Sequence, residues 1–244
     1  MYKQLNIMGY DVLVDPLSSI TIDPEKKQVI NTINPHSYVT AKDDKLFTEA
    51  LHDSDTLLPD GSGIVMAAKH CNGVDIKKIA GNDLHAHLLN LLNEQGGSCF
   101  YMGSSHQTLD KVKERITREQ PNIRAGFYSP PYKPQFSDED NEAIIEAIQA
   151  FKPDVLFVGM TAPKQEKWLH QHKDQLDFKV AASIGAVFDF YTGTIKRPSQ
   201  FWINIHLEWL PRLLKEPKRL WRRNFVSTPL FLIDMMLFKV GVKK

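Results

Sequence analysis

The 244-residue chain predicts an α/β fold: a mostly parallel sheet covered by helices on both faces, with a basic amphipathic helical appendage after residue 195. Three observations carry this reading. Short apolar runs that end in Gly or Pro alternate with stretches of helical spacing, and such alternation builds parallel sheets flanked by helices. Hydrophobic residues make up 42% and charged residues 24%, a balance that supplies a full globular core. From Lys196 onward the composition changes, with Lys and Arg far outnumbering acids up to Arg223.

In order along the chain, residues 4–8 and 11–14 read as short strands, and residues 20–30 have β character broken by Asp23-Pro24. Val29 to Ile33 continues as a strand into the polar turn Asn34-Pro35, and residues 36–52 have helical spacing. Thr56-Leu57-Leu58 is a short strand that Pro59 ends. Gly61 and Gly63 then let the backbone turn, and Ser62 can receive the free N–H groups of the helix that follows. Residues 83–94 form an amphipathic helix through Leu84, Leu88, Leu89, Leu91 and Leu92. Residues 98–103 are a buried strand closed by Gly103, followed by a helix over 106–119. Residues 121–137 hold four of the 14 prolines and read as a long loop, which in a compact domain is usually functional or disordered. Ser137 caps a helix over 138–151 whose first turn holds Asp138, Glu139 and Asp140. Asp154–Gly159 is a further strand, Pro163 opens the next helix, and 179–184 is the last strand. The whole is a Rossmann-like catalytic domain over 1–195 and a membrane-associating appendage over 196–244.

Several function classes are excluded early. A net charge of +1 carries no sign of nucleic-acid binding. Two isolated cysteines, Cys71 and Cys99, make neither a disulfide framework nor a Cys-based zinc site, and they suit a reducing compartment. The N-terminus lacks a signal-peptide core, and no run of about 18 apolar residues predicts a bilayer span. Neither a Gly-x-Ser-x-Gly elbow nor a Walker loop is present. His85-x-His87 and His170-x-His172 put their imidazoles on different helix faces, so neither reads as a metal pair. Asp53-Ser54-Asp55 matches a metal-holding Asp-x-Asp in composition, but it precedes a strand instead of following one, so no metal is expected.

What remains are polar residues at strand ends: Thr32, Asn34, Asp60, Gly103, Lys164, Gln165 and Asp189. In open α/β sheets the carboxyl edge is where ligands bind. Asp60 there can serve as a general base; taken alone, a plain Asp-Gly turn is the simpler account, since such turns are common. Gly103-Ser104-Ser105 can cradle a phosphate at a helix start, although one glycine is a weak motif. One base, helix N-termini that suit diphosphate, and no metal cluster fit glycosyl transfer from a nucleotide sugar. In-line attack with one base predicts inversion. In the C-terminal stretch, Arg212, Lys215, Arg219 and Arg222 fall in one arc of a helical wheel, opposite Leu210, Leu213, Leu214, Leu220 and Trp221. That pattern suits a membrane surface or an anionic ligand, or else a terminal helix with a solvated face. Pro229 to Lys239 is apolar, too short to span and long enough to enter an interface.

These stretches also carry a resemblance. Thr32-Ile-Asn34-Pro35, Leu58-Pro-Asp60-Gly61-Ser62-Gly63, Ala80-Gly-Asn-Asp-Leu84, Pro163-Lys-Gln165-Glu-Lys-Trp168, Gly185-Ala-Val-Phe-Asp189, Gly193-Thr-Ile-Lys-Arg197 and Leu207-Glu-Trp209 through Arg219 occur in order over residues 30–222. Together they resemble the WecG/TagA/CpsF glycosyltransferases. The resemblance implies an inverting, metal-independent enzyme of bacterial envelope polysaccharide synthesis. The donor would be a UDP-sugar, a co-substrate with no further cofactor, and the acceptor a sugar on undecaprenyl diphosphate. The enzyme would work in the cytoplasm, peripheral on the inner face of the membrane, with a homo-oligomer left open. It further implies Asp60 as base, with Thr32, Asn34 and Gln165 lining the sugar and diphosphate pocket. Asp189 would touch the nucleotide, and Arg212, Arg219 and Arg222 would close on the lipid diphosphate, where Arg makes forked contacts. The alternatives are a nucleotide-binding oxidoreductase, which needs a glycine-rich first turn that is not evident, and a non-catalytic membrane-surface adaptor.

Overall fold

The computed structural model describes residues 2–194, 202, 210, 213, 217–239 and 241, with side chains 218 and 219 left out. Its eight strands are β1 (Gln4–Ile7), β2 (Tyr10–Leu13), β3 (Gln28–Ile33), β4 (Thr56–Pro59), β5 (Ser98–Gly103), β6 (Arg124–Tyr128), β7 (Val155–Gly159) and β8 (Val180–Ser183). They form one sheet in the order β1-β2-β4-β3-β8-β7-β5-β6. Only the β1–β2 hairpin is antiparallel; every other neighbour pair is parallel. The predicted α/β architecture is therefore the observed one. Among the strands one differs: β6 lies inside the stretch read as loop over 121–137. Gly126 hid it, because a glycine in a strand reads as a breaker. Here the Phe100 and Phe151 rings fill the space where a side chain would stand.

Helices α1 (Pro35–Ala41), α2 (Lys45–His52), α3 (Ser62–Asn72), α4 (Gly81–Gln95), α5 (His106–Glu119), α6 (Asp138–Phe151), α7 (Lys164–His172) and α8 (Val187–Tyr191) cover both faces. The single helix expected over 36–52 is two. Asp44 caps α2 by accepting from the Phe47 N–H, which restarts the helix after a short turn. On one face Leu84, Leu88, Leu92, Leu109, Val112, Val187 and Phe188 pack on Ile30, Ala182 and Phe157. On the other, Ile144, Ile148, Trp168 and Leu169 pack on Val29, Ala181 and Leu156. At the β2–β4 end, α1, α2 and α3 bury Tyr38, Phe47, Leu51 and Ile64 against Val12, Ile33 and Leu57.

The last part of the chain is α9 (Pro217–Arg222), a π-helical turn over Arg223–Ser227, and α10 (Thr228–Lys239). Here α10 joins the core. Phe231 is fully buried, and its ring meets Tyr38 edge-on at a centroid distance of 5.3 Å. Buried Asp234 pairs with Lys42 at 2.6 Å. The opposite side leaves Leu230, Ile233 and Met236 exposed. Among the described residues no helix is long and apolar enough to cross a membrane.

Candidate active site

Chain direction defines the crevice. After β3 the chain leaves into α1 and α2, and α2 packs on α7. After β8 it leaves into α8, which packs on α4 and α5 on the opposite face. Adjacent β3 and β8 therefore send their connections to opposite faces, which opens a crevice at their carboxyl ends. Asn34, at the end of β3, caps α1: its Oδ1 accepts from the N–H groups of His36 and Ser37 at 3.0 and 3.1 Å. That leaves Nδ2 as the group able to donate to a ligand. Thr32 lies two residues earlier, half-buried, in register with Leu58.

Asp60 follows β4, the next strand out. Its backbone N–H donates to the Ile33 carbonyl at 2.9 Å, which ties the end of β4 to the end of β3. The side chain is half-buried. Gly61 has φ +92°, ψ 154°, a conformation closed to ordinary side chains, and it turns the chain at once into α3. Asp60 is thus held at the carboxyl edge of the sheet by backbone on both sides.

Gln165 and Lys164 reach the same edge, and both are already engaged. The buried Gln165 Oε1 accepts from Met160 N–H at 3.2 Å and Gly185 N–H at 2.9 Å, linking the turns after β7 and β8. Its Nε2 donates to Glu166 Oε1 at 2.9 Å. Lys164 donates to the Lys133 carbonyl at 2.6 Å and sits 3.4 Å from the Phe136 ring centroid. Burial there pushes its ammonium below the usual lysine range, with Asp140 acting against the shift. The lysine thus anchors the loop after β6.

Gly103 stands apart from Asp60. Four strand steps at ~4.8 Å separate their strands, on the order of 19 Å. A Cβ on Gly103 would lie 2.3 Å from the Gly159 carbonyl oxygen, so the residue serves the close approach of β5 and β7. Asp189 is half-buried on α8, not at a strand end, and its carbonyl accepts from the Thr192 hydroxyl. Arg212 lies outside the described residues, as does the side chain of Arg219, whose backbone belongs to α9. Arg222 is exposed at the end of α9. Burial, and then the charges of Arg223 and Arg222, push the His36 pKa below its ordinary value.

His36, Arg223 and Glu166 are the site residues that sequence reasoning passed over. His36 follows the Asn34-Pro35 turn directly, which was the available signal. Its Nδ1 pairs with the Ser227 hydroxyl at 2.8 Å and so fixes the π-helical turn to the crevice. Ser227→Ala should lower stability by about 1 kcal/mol, measured by thermal unfolding. The Asp-x-Asp residues serve structure: Asp53 pairs with His170 and Lys173, and Asp55 accepts from the Val29 N–H. A separate cleft of about 360 Å³ lies between α4, α5 and α8 beside His85, Arg115 and Tyr191, outside the crevice.

An enzyme that holds its ligand at the carboxyl edge of the sheet is the class that suits polar residues and capped helix starts at such a switch point. A family model described as "Glycosyl transferase WecG/TagA/CpsF family" matches residues 4–244. Relatives named N-acetylglucosaminyldiphosphoundecaprenol N-acetyl-beta-D-mannosaminyltransferase include one from Bacillus spizizenii (strain W23), 32% identical over 91% of this chain and 84% of its own. Others come from Bacillus subtilis (strain 168), 31% identical over 96% and 88%, and Staphylococcus aureus (strain MRSA252), 27% over 88% and 82%. The protein is a glycosyltransferase, and it belongs to the WecG/TagA/CpsF family.

Proposed function

We propose that this enzyme transfers an N-acetylmannosaminyl group from its UDP-sugar to N-acetylglucosaminyl-diphosphoundecaprenol, with inversion and with Asp60 as general base. The observation that supports the reading is the backbone of Asp60, tied to the end of β3 by its N–H bond to the Ile33 carbonyl and turned at once by Gly61, at the carboxyl edge beside the β3–β8 crevice. The acceptor hydroxyl gives its proton to Asp60 as its oxygen bonds to the anomeric carbon. The bond from that carbon to the diphosphate breaks, and UDP leaves with the electron pair. On an α-linked donor this in-line step gives the β linkage stated in the relatives' name. Arg222, Arg223 and the undescribed Arg212 and Arg219 would meet phosphate charge. The carboxylates of Asp53 and Asp55 are bonded elsewhere, so the reading routes no step through a metal.

The working place is the inner membrane surface. Exposed Trp221, Phe225, Leu230, Ile233 and Met236 beside Arg222 and Arg223 support it, since apolar and cationic side chains together favour an anionic interface. The test is UDP release from UDP-N-acetylmannosamine with a short-chain polyprenyl-diphosphate N-acetylglucosamine acceptor. Release that requires both substrates is expected; none with that pair overturns the reading. Arg222→Ala with Arg223→Ala should raise the acceptor KM by about tenfold or more, the loss of one or two charge-assisted hydrogen bonds, while UDP binding changes less.

A further inference from the structure

We infer that Glu166 is a positioning residue, which holds the Gln165 amide in the one orientation that ties the turns after β7 and β8 into the rim of the crevice. The inference deepens the proposed function and rests on it for its kinetic consequence. A glutamine amide can be turned end for end, and only one orientation places Oε1 toward the two backbone N–H groups of Met160 and Gly185. Among the described residues those two N–H groups are what Oε1 accepts from, and Nε2 donates to Glu166 Oε1 at 2.9 Å. A side chain unable to accept at position 166 would leave Nε2 buried without a partner and remove the reason for that orientation.

The setting of Glu166 is unusual for an acid in the first turn of a helix. It is 2% exposed, and its Oε2 has no hydrogen-bond partner among the described residues. Ser183 Oγ and Asn31 Oδ1 are also buried without partners among the described residues. Ser183 alternates with Ala182, and Asn31 with Ile30, so both face the layer where α7 packs. Three unsatisfied polar atoms thus share one interior layer beneath the crevice.

Burial pushes the Glu166 carboxyl up to about 7, with the hydrogen bonds from Gln165 and its own backbone N–H opposing. No charge faces it. On α7 itself Lys167 is paired with Asp44, and His170 with Asp53, which Lys173 also meets. On α6, Asp140 pairs with Lys133, and Glu142 and Glu146 are exposed. Strands β7 and β8 carry no charged residue. Lys164 turns to the Lys133 carbonyl. The ionised carboxylate is the stronger acceptor for Gln165, so the rim is firmest above neutrality.

The test compares Glu166→Gln, which keeps an acceptor without charge, with Glu166→Leu, which keeps neither. In the parent chain the Gln165 side-chain amide signal in ¹⁵N NMR should titrate with a midpoint near neutrality; in Glu166→Gln it should not. Glu166→Leu should speed amide exchange at Met160 and Gly185. It should lower kcat/KM by about tenfold to a hundredfold, as loss of alignment does, with Glu166→Gln restoring most of it. The Tm of Glu166→Gln relative to the parent should rise between about pH 5 and pH 8, because the native carboxyl holds its proton above its ordinary 4.5 and burying the charge weighs on the fold as pH rises. A Gln165 signal flat with pH in the parent, or Glu166→Leu with parental exchange at Met160 and Gly185, overturns the inference whether or not sugar is transferred. Absence of transfer by the parent, with the NMR titration present, counts instead against the proposed function.

Discussion

Asp60→Asn is expected to reduce sugar transfer by about a hundredfold to ten-thousandfold, the range removed with a general base. The effect should appear in kcat. The amide keeps the size of the carboxylate but cannot take the acceptor proton, so UDP binding, read by thermal shift, should stay near the parental value. The bond from the Asp60 backbone N–H to the Ile33 carbonyl is kept in this variant. A variant that turns over at the parental rate removes Asp60 from the mechanism and leaves the fold and the family as they are.

The second large effect is expected from Phe231→Ala. The ring is fully buried and packs edge-on against Tyr38 of α1. Deleting a buried Phe side chain costs about 3–5 kcal/mol, through lost transfer energy and the cavity left behind. For a domain of this size that corresponds to a fall in Tm on the order of 10 °C if unfolding is cooperative. If α10 opens alone, hydrogen exchange across Thr228–Lys239 will accelerate while the sheet keeps its protection. The functional readout separates the two outcomes. Detachment of α10 should impair use of the polyprenyl acceptor more than UDP binding.

Much of the fold could be read from the chain because local and global signals agreed. The apolar runs of β5, β7 and β8 end in polar or glycine residues, and Asn34, Ser105 and Ser137 sit where helices begin. The reading failed where a tertiary partner replaced a local signal. Strand β6 depends on aromatic rings from β5 and α6 to cover Gly126, and no periodicity announces that. The strand-end rule put Thr32, Asn34, Asp60 and Gln165 at the carboxyl edge of the sheet, and the structure has them there. It could not tell that Gln165 braces two turns or that Lys164 holds a loop, because those roles depend on backbone N–H and C=O groups 20 and 31 residues away. Glu166 looked like an ordinary first-turn acid at a helix start, and only burial separates it from Glu139.

The bond between Ser227 and His36 couples the last helical segment to the turn after β3. If α10 rests its apolar side on lipid, as proposed, that bond passes the level of the bilayer on to the point where the chain leaves the sheet. An acceptor would then be sorted by reach: a hydroxyl standing too close to the bilayer, or too far out on a longer glycan, would miss the level of the proposed base.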